Sequence, residues 1–128
     1  MSKTTLDPDD WDHFRSVAHN MLDDALDTLE SARDGRVWTP LPDNVKTDLQ
    51  SHLPRCGMDQ DAVRQKLAAL LPYGVGNTHP RFFGWVHGSG NPGGILAEMA
   101  GAAMNVNLGG RDHGAIYVEK QVLEWCRQ

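Results

Sequence analysis

Apolar residues recur at helical spacing through the first part of the chain. This stripe predicts a first helix that Asp9 or Asp10 caps and that runs to about Arg33, with Gly35 as its C-cap. The members of the stripe are Trp11, Phe14, Ala18, Met21, Leu22, Ala25, Leu26 and Leu29. Because the stripe is long and begins with two aromatic residues, we expect it to pack against a second copy or another chain. The alternative is a simple bundle in which the stripe faces inward.

Four more helices are predicted, and no segment is predicted to be a strand. They cover residues 44–53, residues 59 to 71 before Pro72, residues 92 to about 104, and a last helix that Asp112 caps. The helix from 92 carries almost only small or apolar residues, which is typical of a helix buried on nearly all sides. Three amphipathic helices do not cover both this helix and each other, so apolar surface is expected to be left for another chain. The predicted fold class is mainly α.

The last predicted helix reaches the final residue without a glycine, a proline or a polar tail. Helices usually carry such stop signals. One interpretation is a C-terminal helix that simply finishes the protein. The interpretation that we favour is a chain that forms part of a larger fold.

Composition narrows the classes of function. The 128 residues are enough for one domain, 1–128, and the net charge of -5 disfavours nucleic acid as a partner. No run approaches the roughly 18 apolar residues of a membrane span, and the polar N-terminus is not typical of a signal peptide. Cys56 and Cys126 lack metal-ligand spacing, so we expect reduced thiols in a cytoplasmic protein.

The stretch 73–94 is rich in glycine, proline, histidine and aromatic residues and has no sustained period. It predicts an irregular loop that leads into a helix at Pro92, and long loops are often functional. Its aromatic residues could form the apolar wall of a pocket, and its imidazoles could donate hydrogen bonds or move protons. The alternative is an ordinary loop whose aromatic residues fill a core.

Two other interpretations, a phosphate loop and a metal site, fail on the spacing of their residues. The run Gly-Ser-Gly-Asn-Pro-Gly-Gly has no strand before it and no Gly-Lys-Ser/Thr ending, so it is a helix start rather than a phosphate loop. The possible metal ligands His79, His87, Asp112 and His113 do not share a helix face, and no metal site is expected. No local motif supports a catalytic serine or cysteine.

Several motifs follow one another in a recognisable order. They are Val37-Trp38-x-Pro40-x-Pro42, then His79-Pro80-x-Phe82-Phe83, an apolar helix, Asn105-x-Asn107, and a helix with Val118-Glu119 and Trp125. This order resembles the N-terminal region of the group II pyridoxal-phosphate-dependent decarboxylases, the relatives of aromatic amino-acid and glutamate decarboxylases. The resemblance runs from about residue 10 to the end. It departs from the family at Trp85-Val86-His87-Gly88 and Asp112-His113-Gly114, so the chain is closer to a divergent branch.

The resemblance implies the helical N-terminal segment of an obligate homodimer of aspartate-aminotransferase type, fold type I. It implies that the loop after His79-Pro80 lines the substrate pocket, with Phe83 and Trp85 beside the substrate side chain. His87 would hydrogen-bond the substrate or stand near the cofactor, and Asn107 would complete the pocket. No residue of this chain is implied to be catalytic.

The resemblance also implies pyridoxal 5'-phosphate as the cofactor of the complete enzyme. In the family, the residues that hold it lie further along the chain than this region. Lys46, Lys66 and Lys120 are expected on solvent-facing helix surfaces, and Lys3 lies in the tail. The chain would then be inactive without a cofactor domain on its own continuation or on a second chain. A non-enzymatic helical dimerisation module and a small free-standing binding domain are the alternatives.

Overall fold

The computed structural model describes residues 5–84, 86–107 and 109–128. Within these ranges the chain is helical and contains no strand, which confirms the prediction of a mainly α protein. The elements are α1 Trp11–Ser31, α2 Asp43–Leu49, α3 Gln60–Ala68, a 3-10 turn at Leu71–Tyr73, α4 Pro92–Met104 and α5 Gly114–Arg127. They divide into two compact units, Met1–Pro92 and Gly93–Gln128.

Helix α1 begins where its cap predicts and ends earlier than expected. The Asp10 carboxylate accepts hydrogen bonds from the backbone N–H groups of Asp12 at 3.0 Å and His13 at 2.9 Å, which satisfies two of the donors that a helix start leaves free. The predicted C-cap at Gly35 is wrong, because the cap is Ala32, whose N–H bonds the Leu29 carbonyl. The chain has already left the helix before it reaches the glycine.

Helices α1 and α3 are joined by polar contacts. His13 Nε2 lies 2.7 Å from Asp61 Oδ2, and Arg64 forms an ion pair with Asp24. His13 and Asp24 share one side of α1 with Val17, which is only 7% exposed. At 3.6 residues per turn this side lies roughly 100° around α1 from the centre of the predicted apolar stripe.

Half of the stripe is exposed within its own unit, while Met21, Leu22, Ala25 and Leu29 are half-buried. Trp11 is 57% exposed, and Phe14 and Leu26 are each 38% exposed. The rings of Trp11 and Phe14 meet edge to face with their centroids 6.0 Å apart, so they form a single aromatic patch. Val17, the buried apolar residue of α1, was not part of the predicted stripe.

The shorter helices follow local signals. Helix α2 starts at Asp43 but ends at Leu49, before the predicted end at residue 53, since Pro54 disfavours helical backbone in the residue that precedes it. Helix α3 starts after Asp59, whose Oδ1 accepts from the Ala62 N–H at 2.9 Å. It ends at Ala68, and the predicted stop residue Pro72 lies inside the separate 3-10 turn.

In the second unit the bounds of α4 are those predicted, but its burial is not. No residue of α4 is buried, and Leu96 and Met99 are 61% and 50% exposed. The expectation of a helix covered on nearly all sides is wrong here because its own unit offers only α5 as a further helix. The apolar side chains of α4 are thus left largely exposed within its own unit.

The N-cap of helix α5 lies one residue later than predicted. The N-cap is His113, which makes no side-chain capping bond, so the prediction of Asp112 is wrong. The pKa of Tyr117 is raised, first by its interaction with the Asp112 side chain and to a smaller extent by desolvation. His113 is held through Nε2, which lies 2.8 Å from the Asn107 carbonyl oxygen.

Two predictions from composition concern membrane spans and the cysteines. In the part of the chain that the structure describes, no helix is long and apolar enough to cross a membrane. Cys56 and Cys126 are free and exposed, as predicted for thiols without a disulfide.

Candidate functional site

The segment between the 3-10 turn and α4 is irregular backbone in its described residues, and it leads into a helix at Pro92 as predicted. It begins with two successive turns, in which the His79 N–H donates to the Gly76 carbonyl and the Phe82 N–H donates to the His79 carbonyl, both at 3.0 Å. Gly76 has a φ of +85°. A Cβ atom there would lie 1.8 Å from the Val37 carbonyl oxygen, so glycine allows the segment after α1 to lie against the turn.

His79 is the buried centre of this arrangement. It is 4% exposed, and its Nδ1 accepts a hydrogen bond from the Arg81 backbone N–H at 3.0 Å. In the neutral ring the proton must therefore be on Nε2, and this atom is buried without a hydrogen-bond partner among the described residues. The sequence identified His79 as a loop imidazole but carried no signal of its burial, since its neighbours along the chain are mostly polar or glycine.

The residues described between 77 and 88, which we call the aromatic loop, are held by contacts across the loop. The Asn77 side-chain amide donates to the Gly88 carbonyl at 2.6 Å. The Phe82 and His87 rings meet edge to face with centroids 5.8 Å apart. Gly84 lies against the Phe82 ring, because a Cβ atom there would be 2.2 Å from Phe82 Cε1. The loop therefore has a defined conformation without regular secondary structure.

The structure places two of the four predicted pocket residues on this loop. Phe83 is 91% exposed, and His87 lies against the ring of Phe82. Trp85 lies outside the described residues. Asn107 belongs to the other unit, where its Oδ1 accepts from the Gly109 N–H at 3.1 Å. The aromatic loop thus presents Phe83 outward, while Asn107 serves as a turn residue.

A cavity of about 280 Å³ lies beside His79, within the first unit. Its polar lining comes from the end of α1, from the segment that follows α1, and from the turn at His79. These side chains are Thr28, Ser31, Arg36, Thr39, Thr78 and His79. The hydroxyls of Thr28 and Ser31 already donate to the carbonyls of Asp24 and Asp27 at 2.8 and 2.7 Å. Among the described residues of the aromatic loop, Phe83 and His87 do not line this cavity.

The described lysines do not form a cofactor site. Lys46 makes an ion pair with Asp43 of its own helix at 2.9 Å, and Lys120 lies 5.4 Å from the ring centroid of Tyr117. Lys66 is exposed on α3, and Lys3 lies outside the described residues. Over the same described ranges no three histidine, cysteine or acidic side chains are grouped to hold a metal ion. The described lysines therefore do not fit covalent binding of pyridoxal phosphate.

Comparison with known proteins supplies no relative. The chain matches no family model, no curated protein and no solved structure.

Proposed function

We propose that this chain is the N-terminal dimerisation and substrate-pocket segment of a pyridoxal-phosphate-dependent amino-acid decarboxylase-like enzyme. Its helices supply association surfaces, and its aromatic loop supplies part of the wall of the substrate pocket. The order and spacing of the motifs between Pro72 and Trp125 support the family assignment, and the similarity before Pro72 is looser. The free, exposed cysteines support a cytoplasmic location, because unpaired thiols are typical of reducing compartments.

The observation that carries the proposal is the amount of apolar surface that the helices leave uncovered. The aromatic patch of Trp11 and Phe14 opens the stripe of α1, and in the second unit no described residue is buried. Large apolar side chains on α5 are also exposed, with Val118 at 66% and Trp125 at 63%. Short helices without a buried apolar face are marginal in water. These faces are therefore suited to a second copy and to the rest of an enzyme.

The aromatic loop supports the pocket part of the proposal. A loop that inserts a side chain into a pocket benefits from being ordered before binding, because less conformational entropy is then lost. The Asn77–Gly88 bond and the Phe82–His87 contact order this loop. Phe83, left 91% exposed, is then available to pack beside a substrate side chain.

The cofactor itself is assigned to residues outside 1–128. Pyridoxal phosphate supplies an electron-withdrawing ring that stabilises the charge left when carbon dioxide departs. The protein has to hold it with a lysine, a partner for the ring nitrogen and a phosphate cradle. The described lysines lie on helix surfaces, so this chain would contribute the wall of the substrate pocket and not the cofactor site.

The test is reconstitution with the cofactor-binding polypeptide encoded in continuation of this sequence or beside it. Release of carbon dioxide from a panel of amino acids is expected only when both parts are present. Phe83→Ala is expected to raise KM about tenfold or more, since an aromatic side chain that packs beside the substrate is removed. Val75→Ala, which removes an exposed apolar side chain outside the aromatic loop, is the matched control and should leave KM unchanged.

Two results would contradict the proposal. One is turnover by the cofactor-binding polypeptide without this chain. The other is turnover by this chain alone, with borohydride fixing the cofactor on Lys46, Lys66 or Lys120. If no cofactor-binding polypeptide is encoded in continuation or nearby, the chain is better described as a helical interaction module.

A further inference from the structure

We propose that the cavity beside His79 binds a small zwitterion, such as a free amino acid, with its carboxylate toward Arg36 and its ammonium group toward the end of α1. The inference is independent of the function proposed above. It concerns a cavity that Phe83 and His87 do not line, and it requires neither a cofactor nor a second chain.

Part of the cavity lining offers hydrogen-bond donors. Arg36 is the one charged residue among the described lining residues, and its guanidinium has no hydrogen bond or ion pair with the described part of the chain. The hydroxyls of Thr39 and Thr78 are further donors. These donors therefore suit a carboxylate, which accepts several charge-assisted hydrogen bonds and matches the planar fork of a guanidinium.

His79 gives an independent reason to expect a ligand. Its Nε2–H is buried without an acceptor, and a buried donor without a partner costs free energy. The ring lines the cavity, and Nε2 itself is covered, so the imidazole has to rotate, against the bond that the Arg81 N–H donates to Nδ1, to bring the Nε2–H to a ligand oxygen. A carboxylate oxygen would then satisfy this donor.

The residues of α1 that line the cavity offer acceptors. Because the hydroxyl protons of Thr28 and Ser31 are donated to helix carbonyls, their oxygens have only lone pairs left for a ligand. Helix α1 also has no basic residue in its last turn, so the negative end of its dipole is not compensated there. An ammonium group fits these acceptors, whereas a simple anion would leave them unused.

The size of the cavity limits the ligand. About 280 Å³ lies just below the range of roughly 300–1,000 Å³ that holds drug-sized molecules. A molecule with a carboxylate and an ammonium group on the same carbon atom offers a partner to both the donors and the acceptors of the lining without a large side chain. Glycine is therefore the probe, and acetate and methylammonium are its two halves.

The experiment is titration of the full chain with glycine, followed by NMR of the side-chain N–H signals of Arg36 and His79. Saturable shifts at both residues are expected, with acetate and methylammonium each binding at least about tenfold more weakly. Arg36→Gln should weaken glycine binding about tenfold or more, the loss expected for a charge-assisted hydrogen bond. Arg33→Gln makes the same change of charge outside this cavity and should leave the affinity within about twofold.

A second variant separates a zwitterion site from an anion site. Thr28→Val keeps the shape of the side chain and removes the acceptor oxygen, so it should weaken glycine binding and leave acetate binding unchanged. The proposal is overturned if glycine causes no saturable shift at millimolar concentration. It is also overturned if acetate or phosphate binds as tightly as glycine, or if Arg33→Gln and Arg36→Gln weaken binding equally.

Discussion

Replacing Gly76 with alanine tests how the first unit holds the turn at His79. A left-handed φ costs a residue with a Cβ about 1–2 kcal/mol, and Gly76 has a φ of +85°. The new Cβ would also lie 1.8 Å from the Val37 carbonyl oxygen, and backbone cannot move aside as a flexible side chain can. We therefore expect Gly76→Ala to lower the free energy of unfolding by at least about 2 kcal/mol.

The assay is urea unfolding followed by far-UV circular dichroism. With a slope of about 1–1.5 kcal/mol per molar urea for a small unit, the midpoint should fall by more than about 1 M. Gly74→Ala is the matched control, because Gly74 has a φ of −67° and nothing lies within 4 Å of its Cβ position. That control should change stability by less than about 1 kcal/mol and could stabilise the chain. If Gly76→Ala is as stable as the parent, Val37 does not lie against this turn.

Two further substitutions test local contacts. Gly84→Ala should displace the Phe82 ring, since the added Cβ would lie 2.2 Å from Cε1, and the ring-current shift that Phe82 imposes on His87 should disappear from the NMR spectrum. Gly88→Ala, with open space at its Cβ position, should leave the shift in place, and equal effects would refute the contact. Asp112→Ala should lower the pKa of Tyr117 toward its ordinary value of 10.0, because the hydrogen bond that raises it is lost. A raised pKa means that Tyr117 stabilises the fold at pH values below its unfolded pKa and that this contribution is lost as the pH rises through its folded pKa. Ultraviolet titration above pH 10 measures the shift. An unchanged pKa of Tyr117 in the variant would refute the hydrogen bond.

The starts of α1, α3 and α4 could be predicted because their signals are local, whereas the predicted cap of α5 was wrong. Asp10 and Asp59 cap helices through side-chain bonds to residues two or three positions along the chain. The pair Asn91-Pro92 likewise marks the start of α4. Each of these signals acts within one turn of helix, so it can be recognised without the rest of the fold.

Burial could not be predicted because it depends on contacts between distant segments. The apolar composition of α4 is typical of a buried helix, yet Leu96 is 61% exposed because its own unit contains little to cover it. His79 is buried although its chain neighbours are mostly polar, and its position depends on the close approach of Val37 to Gly76. Periodicity identifies an apolar face but not the element that covers it.

In the candidate site, too, local features could be predicted and contacts between distant segments could not. The sequence predicted the aromatic loop as irregular backbone before Pro92, and the structure confirms it over the described residues. The Asn77–Gly88 bond and the cavity beside Arg36 had no sequence signal, since they join segments without a shared motif. The roles of Phe83 and His87 in a substrate pocket stay predictions.

The central claim is that the stripe of α1 is an association surface, and sedimentation of the full chain over a range of concentrations tests it most directly. Trp11 and Phe14, which are 57% and 38% exposed, form the aromatic patch at the start of the stripe. We predict a dimer that Trp11→Asp with Phe14→Asp dissociates. Ser16→Asp with Asn20→Asp adds the same charge on the opposite face of α1 and should leave the dimer intact. A single monomeric species at high micromolar concentration, with Trp11 shielded from a soluble quencher, would contradict the claim.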